Sequence, residues 1–317
     1  MLDVKLLRDL YRSLGLLLAI VSIIAVGVMC YVSMQSAYEN LAAAKTRYYR
    51  QCRMADFWVD VKKVPLAELD SVAKIPGVSE IRSRIQFSAT VDLQGVRRPL
   101  NSLVISLPNQ PEPVINNIVL RQGDYFTDRR ANEVIVNDAF ARAHDIYPGQ
   151  WIHLLLNNRR QELFVVGTAI SSEFTYLLGP GALVPDPRNF GVFYIKRRFA
   201  EEVFDFDGAA NQVLGRFAPD VRGAEQAVLQ RIELLLEPYG VFQATPLAQQ
   251  VSNQFLSSEI DGLGVTATII PGVFLLVAAV VLNVLIHRLA RQQRVVTGTL
   301  KALGYSDGRM FLHFVKF

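Results

Sequence analysis

The chain has 317 residues, 51% of them hydrophobic and only 20% charged, with a formal net charge of +4. A soluble chain carries about 25% charged residues, so the deficit points to apolar segments set into an otherwise ordinary sequence. The presence of only 2 cysteines excludes a disulfide-stapled secreted module, and the small surplus of positive charge gathers near the chain's ends, which gives nucleic-acid binding no support.

Residues 1–13 carry Lys5, Arg8 and Arg12, with Leu6, Leu10 and Leu14 spaced one helical turn apart, and read as a cytoplasmic interfacial helix. The stretch 14–32, "LGLLLAIVSIIAVGVMCYV", has no charge. As a helix it reaches roughly 28 Å, enough to cross a hydrocarbon core, and its apolar run exceeds the ~7–15 residues of a signal peptide. Beyond it, 36–50 is rich in alanine and favours a helical stalk. Cys30 falls in the span and Cys52 beyond it, so no mutual disulfide is expected, and Cys52 reads as a small buried residue.

Residues 55–63 read as a strand by their β-branched and aromatic alternation. The next segment, 65–77, sets Leu66, Leu69, Val72 and Ala73 on one helical face before Pro76-Gly77 ends it. Residues 78–93 return as one long strand or two. Later come strands at "NFGVFYIKRR" and "NQVLGRFA", then a helix over 221–240 with Ala224, Val228, Ile232 and Leu235 on one face and Gly240 at its end. This predicts an α+β lobe of split βαβ…βαβ form, interrupted by a β-rich insertion. Within the insertion, 147–167 predicts a hairpin turning at Asn157-Asn158. The loop 178–191 is punctuated by proline and glycine and reads as exposed.

A second uncharged run, 263–286, reaches roughly 36 Å as a helix. Inside it Pro271-Gly272 removes a backbone donor and offers a bend, while Gly264, Thr268 and Gly272 form a small-residue stripe suited to close helix packing. Residues 287–317 add Arg288, Arg291, Arg294, Lys301, Arg309 and Lys316. By the positive-inside rule both basic flanks lie in the cytoplasm, and residues 33–262 lie outside as a core domain with helical stalk ends.

Chemistry-bearing motifs are scarce. The 4 histidines, at 144, 153, 287 and 313, have no metal-ligand spacing, and the chain lacks HExxH, CxxC and the glycine-rich P-loop pattern. Glu201-Glu202 reads as a surface pair, and "GPG" at 179–181 as a turn. No catalytic residue, metal or cofactor is expected on this chain.

After the second span, Arg288, Arg291, Arg294 and Lys301 form a basic stripe, and Val296, Leu300 and Leu303 an apolar one. Gly304 suits the helix end, Ser306-Asp307 a new helix start, and "MFLHFVKF" the beginning of a further span, so the chain reads as the N-terminal part of a longer protein. The stretch "TGTLKALGYSDGRMFLHFVKF" resembles the cytoplasmic segment that follows the second span in the FtsX-like permeases, the family of lipoprotein-release and macrolide-export ABC transporter permeases. The family pattern of glycine, two residues, then Lys/Arg-Ala-Leu-Gly is met by Gly298, Lys301, Ala302, Leu303 and Gly304. Val295 stands where the family often has an acidic residue, and Thr297 where it has an aliphatic one. The run "LRQGDYFTDRRANEVIVNDAFARAHDIYPGQWIHL", followed by "ELFVVGTA", resembles the family's periplasmic core domain.

The resemblance implies a permease subunit of a bacterial plasma membrane, multi-pass, without its own ATPase. A cytoplasmic ABC ATPase subunit would grip Thr297, Gly298, Leu300, Lys301, Ala302, Leu303, Gly304 and Tyr305, and a second permease copy or paralogue would complete the membrane assembly. The outer domain would handle an amphiphilic, lipid-like substrate or relay motion to a periplasmic or extracellular partner. Two other classes share the topology: a membrane receptor with a ligand-sensing domain between two spans, and an anchored outer hydrolase or adhesin. Neither explains the Lys-Ala-Leu-Gly segment.

Overall fold

The computed structural model describes residues 14–292 except 94, 95, 97 and 183, together with Tyr11, Gly298, Thr299, Ala302 and Gly308. The chain divides into a helical unit, from residues up to Ala43 and from Glu259 onward, and a second unit, Ala44–Ser258.

Two long helices, α1 (Leu14–Gln51) and α6 (Val251–Gln292), run through the two apolar stretches and beyond them. Each is long and apolar enough to cross a membrane. Within the helical unit their large side chains point outward: Leu18, Met29, Leu276 and Val284 are each at least 60% exposed, the distribution of a surface wetted by lipid rather than water.

In the second unit, β1 (Phe57–Pro65), α2 (Leu69–Ala73) and β2 (Val78–Arg84) form one half of a sheet, and β10 (Ala209–Phe217), α5 (Glu225–Leu236) and β11 (Val241–Pro246) form the other. The strand order is β11-β1-β10-β2, with β1 antiparallel to both of its neighbours and β10 antiparallel to β2. This is the split βαβ arrangement expected from the sequence. Phe57, Val59, Val61 and Val64 turn to one face and pack with Val72, Val228, Leu229, Ile232 and Leu236 of the two helices. Gly215 lies opposite Phe57 in the ladder, and a Cβ there would overlap the Phe57 ring, so only glycine lets the ring lie flat across β10.

The helical faces differ in detail from the sequence expectation. Leu66 begins a 3-10 turn, Leu66–Glu68, and Ala73 is exposed, because the tighter turn rotates the register before α2 begins. In α5 the buried face centres on Ile232 and takes Leu229 and Leu236, leaving Leu235 exposed. Three consecutive leucines at 234–236 permit either face, and contact with the sheet decides.

Beyond Arg84, the last residue of β2, the chain leaves for the insertion. There β3 (Gln86–Asp92), β4 (Leu100–Leu107), β5 (Ile118–Gly123), β6 (Glu133–Asn137), β7 (Trp151–Leu156), β8 (Arg159–Ser171) and β9 (Phe190–Lys196) form a second sheet. Its order is β5-β8-β6-β9-β4-β3-β7, and β7 also pairs with β8, so six strands close into a barrel with β5 alongside β8. Closure removes the open edges of those six strands. Strands β6 and β9 are buried at every position because α3 (Asp138–Ala143) and α4 (Arg197–Phe204) cover their outer side. Asn157 and Asn158 both adopt positive φ, at 46° and 59°, which closes the β7–β8 hairpin as the sequence predicts.

Candidate functional site

Within the helical unit, the small-residue stripe is used unevenly. A Cβ at Gly264 would lie 3.0 Å from the Tyr38 ring, so this glycine admits a close approach of α1. The Thr268 hydroxyl donates to the Gly264 carbonyl of its own helix at 3.2 Å, and Gly272 has open space around it. Pro271 lies inside α6 and cannot donate to the Ala267 carbonyl one turn earlier. The sequence reading passed over Gly27, whose Cβ would meet Leu275 at 3.4 Å. Its only signal in the sequence is that it is one of two glycines, with Gly15, in the first apolar run.

The helix α6 continues past the apolar run to Gln292, with Arg288 and Arg291 exposed. Of the proposed coupling residues, Gly298 and Ala302 are helical and exposed, and a Cβ on Gly298 would meet nothing within 4 Å. Thr297, Leu300, Lys301, Leu303, Gly304 and Tyr305 lie outside the described residues, as do Arg294 and residues 1–10.

In the second unit, polar side chains collect where the sheet, the barrel and the first turns of α6 meet. Glu173 sits in the 3-10 turn after β8, and Arg84 ends β2. The Arg84 guanidinium donates from Nη1 to Glu173 Oε2 at 2.6 Å and from Nη2 to Oε1 at 2.8 Å. The Trp58 indole donates to Glu173 Oε1 at 2.7 Å. Arg84 and Glu173 are 2% and 3% exposed, so the pair is fully desolvated and its bidentate geometry is what offsets that cost. Gln212 accepts from Arg84 Nε and donates to Asp60 Oδ1. Burial pushes the Asp60 carboxyl above its ordinary pKa, against the opposing pull of Gln212 and Arg84.

The same turn is tied to the residues that begin α6. Gln250 Nε2 donates to the Glu173 carbonyl at 2.8 Å, and the Tyr176 amide donates to Ser252 Oγ at 3.1 Å. From the end of α1, Tyr49 donates to Asn253 Oδ1 at 3.1 Å and Lys45 to Ser257 Oγ at 2.7 Å. The Cys52 and Arg53 carbonyls accept from the Asn117 and Asn116 amides. Cys52 is 1% exposed, and burial raises its thiol pKa, which makes it an inert packing residue. None of these partnerships was legible in the sequence, because each joins residues far apart in the chain.

Among the described residues no group of acidic, histidine and cysteine side chains is placed to hold a metal ion. What the arrangement offers instead is structural: within the second unit, the end of α1, the first turns of α6 and the turn after β8 are hydrogen-bonded together.

That is the class of an integral membrane protein with a β-rich domain between two spans. Residues 268–317 match the family model described as FtsX-like permease C-terminal. Over this segment, which runs from Thr268 within α6 to residue 317, the chain is similar to the FtsX-like permeases. No curated protein matches the sequence. Similar solved structures include the periplasmic region of MacB from Actinobacillus actinomycetemcomitans, with 10% identity over 67% of this chain and 95% of that one and a TM-score of 0.38. The extracellular domain of the noncanonic ABC-type transporter YknZ from Gram-positive bacteria has 10% identity over 61% of this chain and 98% of that one, with a TM-score of 0.39. A domain described as coming from a permease protein of Porphyromonas gingivalis has 12% identity over 65% of this chain and 97% of that one, with a TM-score of 0.36.

Proposed function

We propose that this permease subunit couples ATP hydrolysis on a separate cytoplasmic ABC subunit to movement of residues 33–262 outside the membrane. The movement serves export or extraction of an amphiphilic, lipid-like substrate, or is itself the output, delivered to an outside partner. A second permease copy or paralogue completes the multi-pass assembly. The observation that carries this reading is the family match of residues 268–317, which covers the Lys-Ala-Leu-Gly segment that follows α6 in sequence. A permease without an ATPase needs a cytoplasmic element that its motor can grip. The open space around Gly298 supports such a contact.

The experiment is co-purification of the ATPase encoded nearby, together with permease-stimulated ATP hydrolysis. Gly298→Leu puts a bulky side chain on a face that must enter a cleft. Leu303→Asp buries a charge without a partner at about 1–3 kcal/mol, roughly a five- to hundredfold loss of affinity. Arg291→Ala, on the solvated side, retains coupling. Wild-type behaviour from both of the first two variants would reduce the segment to a membrane anchor.

A further inference from the structure

Strand β11 is the outermost strand of its sheet, with β1 on one side and, among the described residues, no strand on the other. Its sequence, "VFQATP", has no charged residue. Sheet edges in stable proteins are blunted with lysine, proline, bulges or a covering element. This one has a bulge at Phe242 and a proline at its end, and between them Gln243, Ala244 and Thr245 stay in regular register with β1.

Leu247 donates its amide to the Asp56 carbonyl, which fixes the alternation of the ladder. Thr245 and Gln243 turn their backbone groups to β1, so Ala244 turns its N–H and C=O outward. The side chains alternate in the other direction. Ala244 and Pro246 line a cavity of about 380 Å³ against Glu225, Gln226, Gln230 and Glu233 of α5. A second, of about 360 Å³, continues past Glu233 and Glu237 to Val241. On the opposite face Gln243 and Thr245 line a third, of about 310 Å³, which contains Asp60 and Trp58. A free backbone edge therefore runs between grooves on both faces, the geometry that receives an added strand with alternating side chains. Exposed apolar groups flank it: Phe242 is 74% and Leu234 69% exposed.

The charge on the helix side selects the occupant. Glu225, Glu233 and Glu237 line the two α5 grooves, and no lysine or arginine does. Arg231 lies on the opposite flank of the helix, away from these three at 100° per residue. On the other face Asp60 has no ion pair among the described residues, and Arg84 is neutralised by Glu173. A second copy pairing β11 with β11 would set acidic groove against acidic groove, so self-association is disfavoured.

We infer that β11 is a docking edge for an extended, basic segment of a partner protein, which adds as a fifth strand with lysine or arginine side chains in the α5 grooves. This inference needs only the sheet and its edge, and it stands independently of ATPase coupling.

The test uses the full chain in lipid nanodiscs and a fluorescent, end-blocked nonapeptide of alternating lysine and threonine. Saturable binding is expected, and Ala244→Pro should weaken it about tenfold or more by removing the outward N–H without touching the β1 ladder. Glu233→Lys should weaken it comparably, the same peptide with glutamate for lysine should not bind, and N-methylation of alternate peptide amides should abolish binding to the unaltered chain. The last arm decides the matter even where Ala244→Pro fails to fold. Binding that survives both Ala244→Pro and N-methylation is charge adsorption and overturns the inference. Dissociation of a dimer by Ala244→Pro, with no peptide competition, makes the edge a self-interface and overturns it too.

Discussion

Arg84 and Glu173 join two sheets that share no strand: the arginine ends β2 of the four-stranded sheet, and the glutamate belongs to the turn after β8 of the barrel. Because both are buried, loss of one leaves the other an uncompensated charge. Glu173→Gln should destabilise the chain by about 3–5 kcal/mol, and Arg84→Met together with Glu173→Gln should cost less than the two singles summed. Urea unfolding midpoints measure this, and simple additivity would show that the pair is not coupled.

Asp60 and Glu133 should shift acid stability in opposite senses. The folded pKa of Asp60 is raised by burial, so its contribution is fully present below the unfolded value of about 3.9 and is lost as pH rises through the folded one. Asp60→Asn should therefore raise the melting temperature at pH 7 and flatten its rise on acidification. For Glu133, burial raises the pKa, but the Thr127 hydroxyl and amide and the Lys196 ammonium overcome it and hold it low. Its contribution is present above about pH 4.3 and is lost as pH falls through the folded value. Melting curves between pH 3 and 8 on Asp60→Asn and Glu133→Gln should bend in opposite directions; parallel curves would refute the assignment.

Gly215→Ala tests the seat of Phe57. The added methyl meets the ring directly, so the ring must tilt out of the space it shares with Phe217, 5.0 Å away between centroids. Overpacking of this kind costs about 1–3 kcal/mol. Phe57→Leu in the Gly215→Ala background should recover part of the loss, a rescue that a purely backbone effect of the alanine would not allow.

Residues 44–258 expressed without the apolar helices should fold and unfold in one cooperative transition, since all three hydrophobic clusters lie inside that range. No disulfide is needed, because Cys52 is free and buried. A gradual, non-cooperative loss of near-UV circular dichroism with urea would count against an independent unit.

The orientation is open to labelling. In a background with both cysteines replaced by alanine, Arg160→Cys should react with an impermeant thiol reagent in intact spheroplasts, and Arg291→Cys only after lysis. The reverse pattern would put the barrel in the cytoplasm.

The two apolar runs, the paired βαβ halves and the Asn157-Asn158 hairpin were legible because each is a local pattern of charge, periodicity or turn chemistry. The barrel was legible only as a β-rich insertion. Its closure depends on β3 meeting β7 and on β4 lying parallel to β9, pairings between segments distant in sequence. Strand β6, buried at every position, shows an unbroken apolar run, Val134–Val136, without the alternation that marks a strand. The Arg84–Glu173–Trp58 cluster left no trace for the same reason: a lone arginine, glutamate and tryptophan are unremarkable until folding stacks their strands. The Lys-Ala-Leu-Gly segment stood out as sequence, though most of it lies outside the described residues.

The barrel leaves and rejoins the four-stranded sheet through adjacent strands, with Arg84 opposite Gln212 in the ladder though they are 128 residues apart in the chain. In a minimal version of the sheet, a turn of about four residues would join β2 to β10. Each doubling of loop length adds about 0.6 kcal/mol to closure, so the five doublings to the present separation add about 3 kcal/mol. A barrel that folds first removes most of this penalty, because its two chain ends then emerge side by side and present β2 to β10 already aligned. The nesting therefore favours one order of assembly, in which the inserted lobe forms before β2 and β10 pair.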